Sequence, residues 1–194
     1  MMKMKKAGLL MVLCLALAVF GGCGKDSAKN PAEVSVVDTS AIEILETVWN
    51  TYGEDEKFPI GGGDSANIVM DVPGNFDVTN VEELDATLGF PATQAEAIDE
   101  AASMMHMMNA NTFTGGAYHV KDAGQVTTVT DALKENIQNR QWMCGFPDTL
   151  VIMVVEDTYI VSFFGNAEIV ETFKTKVTDC YGNSSVVVEE SLNF

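Results

Sequence analysis

The stretch TLVIMVVEDTYIVSFFG, residues 149–165, decides the fold. Its two apolar runs, Leu150 to Val155 and Thr158 to Phe164, are rich in β-branched and aromatic residues, which favour strands. Only Glu156 and Asp157 separate the runs, and so short an interruption predicts a β-hairpin. Because Glu-Asp is not a preferred turn dipeptide, the sequence leaves the turn type open.

The segments on either side of this hairpin predict further strands and helices. Residues 112–121 predict a strand, and a helical period predicts a helix from Gly124 to Gln141 and another from Asn166 to about Tyr181, ended by Gly182. Val186 to Val188 predict a last short strand. From residue 112 onward the order is therefore strand, helix, strand, strand, helix. The apolar faces predicted for the two helices are Val126, Val129, Leu133 and Ile137 in the first, and Val170, Phe173 and Val177 in the second.

The amino-terminal half gives weaker signals. A capping box at Ser40 and Glu43 predicts a first helix with Leu45, Val48, Trp49 and Tyr52 on one face. Residues 54–80 predict a long irregular connection that contains one short extended run, Ile68 to Val72. A short helix is predicted from Val81 to Leu88 and a longer one from Thr93 to Met108. The apolar face of that longer helix is Ala95, Ile98, Ala102, Met105 and Met108.

These elements predict an α+β domain. We expect a two-layer sandwich in which helices cover one face of a small antiparallel sheet. The predicted core of this sandwich is the strand, helix, strand, strand, helix unit. Its length suits a single domain at residues 40–194, without internal repeats.

The amino terminus has the layout of an export signal. Lysines at positions 3, 5 and 6 precede an apolar run from Ala7 to Phe20, which is too short to anchor the chain across a bilayer. Val19-Phe20-Gly21-Gly22-Cys23 resembles the lipobox of bacterial lipoproteins, in which the cysteine is acylated and becomes the first residue. We therefore expect a signal peptide at residues 1–22, a lipidated tether at residues 23–39, and attachment to the extracytoplasmic face of the cell membrane through Cys23. The alternative is an ordinary cleaved signal that leaves Cys23 as a thiol.

The order of elements resembles a family as well. A lipobox signal, the helix with Val126 and Ile137, the hairpin with Tyr159-Ile160-Val161 and the closing helix with Phe173 are similar to small, uncharacterised cell-surface lipoproteins of Gram-positive bacteria. The resemblance covers roughly residues 80–182 and rests on hydrophobic pattern. It implies a location and a fold, and it implies no catalytic residue.

The net negative charge of the chain argues against one class of binding partner. The chain carries 28 acidic and 11 basic residues, and removal of the signal would take away three of the lysines. Such a negative field repels phosphate backbones, so we expect no nucleic-acid partner. Solubility alone would explain the acidity, and the alternative is a cation-binding surface. The acidic cluster Glu54-Asp55-Glu56 lacks the ligand spacing of an EF-hand calcium loop.

Two cysteines remain beyond the predicted lipidation site. Outside the cytoplasm, Cys144 and Cys180 would be able to form a disulfide. Alternatively, they are ordinary buried side chains. No C-x-x-C redox motif is present.

The string Met104-Met105-His106-Met107-Met108 is the most unusual one in the sequence. Thioether and imidazole groups are ligands for copper(I), and a Met/His pair would also suit haem. As an alternative function we consider metal handling through Met104, Met105, His106 and Met108. In the competing interpretation the methionines are flexible core filler, and we expect no cofactor.

A second dense string, residues 140–147, joins a helix to a strand. Arg140, Trp142 and Phe146 have the composition of a recognition hot spot. In the alternative interpretation the two rings cap the core and Arg140 pairs with an acid. We expect any binding surface to lie here or in the loop at residues 54–66.

Taken as a whole, the sequence favours a non-enzymatic lipoprotein that binds a protein or a small ligand, or that serves as an accessory subunit. The mature chain contains only two histidines, His106 and His119, and no G-x-S-x-G nucleophile elbow, and its many carboxylates single out no catalytic pair. A hydrolase with an unrecognised site is a further alternative.

Overall fold

A computed structural model of the chain describes residues 39–143 and 145–192. The helices are α1 Ala41–Trp49, α2 Val81–Glu83, α3 Val126–Gln138 and α4 Ala167–Cys180, and a π-helical turn, Leu84–Leu88, continues α2. The strands are β1 Ile60–Gly62, β2 Val69–Met70, β3 Gly74–Asn75, β4 Ile98–His106, β5 Phe113–Val120, β6 Thr149–Val155, β7 Tyr159–Gly165 and β8 Ser185–Ser191. Short 3₁₀ turns occupy Ala92–Ala97, Ala110–Thr112 and Ala123–Gln125.

In the described part of the chain, eight strands form one antiparallel sheet. The strand order is β2-β1-β4-β5-β7-β6-β8, and β3 pairs with β4 beside β1. The long strands β4 to β7 are adjacent, and the Leu150 to Phe164 hairpin pairs Val155 with Tyr159. The predicted small sheet is therefore wrong: the sheet is large, although the protein is still loosely α+β.

The prediction that helices cover only one face of the sheet is also wrong. Successive residues of β6 and β7 alternate between two buried apolar clusters, one on each face of the sheet. One cluster joins the sheet to α1 and α4, and the other joins it to α3 and the Leu84–Leu88 turn. The sequences of β6 and β7 explain why both faces are covered. In a sheet with one face in solvent, apolar and polar residues alternate along each strand, but TLVIMVV and YIVSFF are apolar at nearly every position.

A further correction concerns residues 93–108. Instead of a helix, they form the 3₁₀ turn at Ala92–Ala97 and then β4, and the N-cap residue Pro91 makes no side-chain capping bond. β4 lies between β5 on one side and β1 and β3 on the other, so its backbone groups are satisfied by strand pairing. Pairing within the sheet has overridden the helical preference of the alanines and methionines.

Residues 54–80 also differ from the prediction of a largely irregular connection with one extended run, because they contain β1, β2 and β3. The predictions for α1, α3, α4, β5 and β8 are confirmed. Ser40 Oγ accepts a hydrogen bond from the backbone N–H of Glu43, and the Glu43 carboxylate accepts one from Ser40, which completes the capping box of α1. The predicted apolar faces of α3 and α4 are buried, and α4 begins at an Asn166 cap. β5 and β8 occupy the predicted strand regions.

The turn of the β6–β7 hairpin holds two residues in the left-handed region. Glu156 has φ +49° and Asp157 has φ +62°. Since this conformation costs an ordinary L-residue about 1–2 kcal/mol, replacement of the pair by Asn-Gly is expected to stabilise the protein by about 1 kcal/mol. Thermal unfolding should show a rise in Tm of about 2–4 °C, and Glu156→Gln, which removes charge but keeps the strain, should show almost none. If Tm rose equally in both variants, the stabilisation would come from the loss of negative charge and not from relief of backbone strain.

Candidate functional site

An exposed apolar segment lies at one edge of the sheet. We call its four residues, Ile68, Val69, Met70 and Val72, the apolar tip. Ile68 is 62% exposed and Met70 is 55% exposed, and the other two side chains are also exposed. β2, which carries Val69 and Met70, is the last strand at this edge and pairs only with β1 among the described strands. Contiguous exposed apolar residues on an edge strand are typical of interaction sites.

A buried carboxylate holds the base of the tip. Asp64 is 5% exposed, and its Oδ1 accepts hydrogen bonds from the backbone N–H groups of Ala66 (2.9 Å) and Asn67 (3.0 Å). Its Oδ2 accepts from the N–H of Asp77 at 3.0 Å, which ties the two ends of the segment together. Burial alone would raise the pKa of Asp64, but these hydrogen bonds outweigh it and hold that pKa below the ordinary value. Asp64 is therefore a structural anion.

Two further polar contacts brace the tip from the core. The Ser103 hydroxyl on β4 donates to the carbonyl of Gly63 (3.0 Å) and accepts from its N–H (2.9 Å). The indole N–H of Trp49 donates to the carbonyl of Asp71 at 3.0 Å. Asp71 itself lies between Met70 and Val72 with φ +64°, a left-handed conformation that is rare for a residue other than glycine. The tip is thus fixed in place while its apolar side chains face solvent.

The predicted metal ligands do not converge. Met104 is fully buried in the α1–α4 cluster, whereas Met105, its neighbour on β4, projects from the opposite face of the sheet. The His106 ring stacks on Phe58 at 5.5 Å, and its Nδ1 accepts from the N–H of Met108 at 3.2 Å. Met108 is 83% exposed. Within residues 39–143 and 145–192, no three His, Cys, Asp or Glu side chains form a group able to hold a metal ion.

The predicted hot spot at residues 140–147 separates into two parts. The Arg140 guanidinium lies 5.2 Å from the Trp142 ring centre and donates to the carbonyl of Ala86, and burial lowers its pKa. Trp142 packs edge-on against Phe164 in the core at 5.1 Å. Phe146 instead is 61% exposed and lines a separate shallow groove with Asn109, Asn111, Thr112, Gly145, Asp148 and Asn166.

An open cleft of about 270 Å³ lies between α4 and the loop after α1. It is lined by Tyr52, Glu56, Phe58, Glu168, Ile169 and Thr172. Aromatic rings and carboxylates together suit an organic cation. However, the ammonium of Lys176 already lies 4.4 Å from the Tyr52 ring centre and 3.2 Å from a Glu56 oxygen. The Tyr52 ring and the Glu56 carboxylate are therefore already engaged by the protein's own lysine.

One histidine–carboxylate pair is present. His119 Nδ1 lies 2.6 Å from Asp99 Oδ1, and the His119 ring packs against Tyr159, whose hydroxyl donates to the carbonyl of Thr39. The side-chain amide of Asn111, just before the start of β5, donates hydrogen bonds to the backbone carbonyls of Met143 and Gly145. His119 is near the end of β5, so the length of this strand separates it from Met143 and Gly145.

The remaining sequence-based sites fall partly outside the described residues. Cys180 lies at the end of α4 and is half-buried, and burial is the main cause that raises the pKa of its thiol. Cys144 is outside the described part of the chain, so its bridge with Cys180 stays a prediction. The same holds for lipidation at Cys23. In residues 39–143 and 145–192, no helix has the length and apolarity needed to cross a bilayer.

Sequence reasoning placed the binding loop at residues 54–66 and missed the tip, which follows it directly. The available signal was the extended run Ile68 to Val72, which has three β-branched residues in a polar, glycine-rich neighbourhood. Comparison of the chain with protein-family models, with curated proteins and with solved structures found no match.

Proposed function

We propose that this protein is a lipid-anchored extracytoplasmic binding module, without enzymatic activity, that docks a basic protein partner through its apolar tip. The observation that carries the proposal is the exposure of Ile68, Val69, Met70 and Val72 on a segment braced from beneath. Apolar side chains that merely lack a place in the core are normally scattered singly over a surface. Here four of five consecutive positions share one edge.

Charge supports a basic partner. Residues 39–192 contain 25 acidic and six basic side chains, a formal charge of −19. Asp71 lies within the tip, and Glu83 binds Ser65 at its base. All six basic side chains are engaged by the protein itself: Lys57, Lys134, Lys174 and Lys176 in ion pairs, and Lys121 and Arg140 with backbone carbonyls. A positively charged partner would therefore be steered towards this surface.

Charge favours a protein over a lipid surface as the partner. Residues 39–192 carry an excess of acidic side chains, and their negative field opposes contact with anionic lipid heads. A basic protein surface meets no such repulsion.

A photo-reactive residue placed in the full chain in living cells tests the proposal. With the reactive residue at position 68 we expect one main adduct to a protein of high isoelectric point, and the adduct should weaken when Val72→Ser is added. Val187 is the matched control position, because it is an exposed apolar residue on β8, at the opposite edge of the sheet. Equal labelling at positions 68 and 187, adducts to lipid or to a second copy of the chain, or no adduct would each contradict the proposal.

A further inference from the structure

Gly61 lies between two methionines in the sheet. It pairs with Met70 of β2 on one side and with Met105 of β4 on the other. Residues directly opposite each other in antiparallel strands project to the same face of the sheet. Met70 and Met105 therefore stand on one face, and between them is a residue with no side chain.

A third methionine fills the space above this glycine. A Cβ atom built on Gly61 would lie 2.7 Å from the sulfur of Met107, so this thioether sits where the Gly61 side chain would be. The backbone N–H of Met107 donates to the carbonyl of Pro59 at 3.0 Å, which fixes the chain after β4 against β1. The glycine thus gathers Met70, Met105 and Met107 on one face of the sheet.

We infer that Met70, Met105 and Met107 form a binding site for copper(I). Thioether sulfur is a soft, neutral ligand, and such ligands select copper(I) over hard cations such as calcium and magnesium. Met70 and Met107 are accessible, with exposed fractions of 55% and 46%, so an ion can reach their sulfurs from solvent. The net negative charge of the protein raises the concentration of cations near its surface.

This ligand set differs from the one that the sequence suggested. On β4 the side chains alternate between faces, so Met104 and His106 lie on the face opposite Met105. Of the original four ligands only Met105 is retained, and its partners come from β2 and from the residue after His106. The site goes beyond the proposed docking function, because it needs sulfur at three positions and not only apolar area.

Competition for copper(I) against a chromophoric chelator, without oxygen, tests the site in the full chain. Every protein in the series carries serine at all four cysteine positions, 14, 23, 144 and 180, so that thiols do not bind the metal. Met70→Leu, Met105→Leu and Met107→Leu together should lower the affinity by about 100-fold, because leucine keeps the apolar volume and removes the ligand. Met108→Leu and Met143→Leu are the matched controls, since both residues are exposed methionines outside the site. They should change the affinity less than about 2-fold.

Gly61→Ala adds a second, independent variant. Its methyl group would displace the Met107 sulfur, the movable end of a flexible side chain, so the protein should fold and its copper(I) affinity should fall by about 10-fold. Thioethers do not titrate, so the affinity of the unaltered site should be the same at about pH 5 and pH 7, unlike that of a histidine or thiol site. An unchanged triple-leucine variant, an equal loss in Met108→Leu, or a loss of binding at low pH would each overturn the inference.

The experiment also separates this site from the docking proposal. A double variant, Met105→Leu with Met107→Leu, leaves all four residues of the tip unchanged, so it should weaken copper(I) binding and keep the adduct at position 68. Val72→Ser should weaken the adduct and keep the copper(I) affinity. The copper(I) site and the docking surface can therefore be disproved independently of each other.

Discussion

Replacement of Cys23 by serine is expected to abolish acylation of the chain and its processing between Gly22 and Cys23. The acyl chains are joined through the cysteine sulfur, which serine lacks, so the effect should be all or none. Mass spectrometry of the mature amino-terminal peptide measures it directly. The unaltered chain should begin at a Cys23 that carries fatty acyl groups, each methylene of which adds about 0.8 kcal/mol to membrane attachment.

Cys180→Ser is the matched control for this prediction. It makes the same chemical change in the folded domain, at a half-buried thiol that is far from the signal in the sequence. Acylation should persist in this variant. An unmodified Cys23 in the natural chain would contradict the lipid anchor and leave the ordinary cleaved signal as the explanation of residues 1–22.

The second large effect is expected in the core. Phe173 on α4 is fully buried and packs against Phe163 at 4.9 Å and Phe113 at 5.1 Å between ring centres. Phe173→Ala should cost about 3–5 kcal/mol of unfolding free energy, because it removes a large ring and leaves a cavity. In a domain of this size, the Tm should fall by about 10 °C or more.

Leu133→Ala tests the opposite face of the sheet. Leu133 on α3 is fully buried in the second apolar cluster, so its truncation should cost about 2–5 kcal/mol. Glu135→Ala, at an exposed position of the same helix, should change stability by less than about 0.5 kcal/mol. If Leu133→Ala resembled Glu135→Ala, the α3 layer would contribute little, and only one face of the sheet would need its helices.

Elements with strong local signals were predictable from the sequence. Ser40 and Glu43 form the predicted capping box, and two apolar runs around Glu156-Asp157 form the predicted hairpin. β4 was not predictable, because its alanines and methionines favour a helix and its strand conformation depends on pairing with β1, β3 and β5. The size of the sheet was missed for the same reason: β1 to β3 are two or three residues long, and they are strands only because β1 and β3 pair with β4 and β2 pairs with β1.

The candidate site depends even more on contacts between distant residues. Asp64 fixes the tip by binding Asp77, and Ser103 binds Gly63 across forty positions of the chain. Met70 reaches Met105 only through the register of β1. No local pattern contains this information, so the sequence indicated the methionines and the loop but not their arrangement.

The position of α1 and β8 has a consequence for the way the protein is made. The first helix packs against the last one, and β8 pairs with β6 to close the far edge of the sheet. The core therefore joins residues from both ends of the domain, and contacts of such long range form late in folding. If the chain crosses a membrane with its amino terminus first, as the predicted export signal implies, the domain would not complete its fold until β8 had emerged. The chain would therefore remain unfolded, and so competent for translocation, until the end of transport.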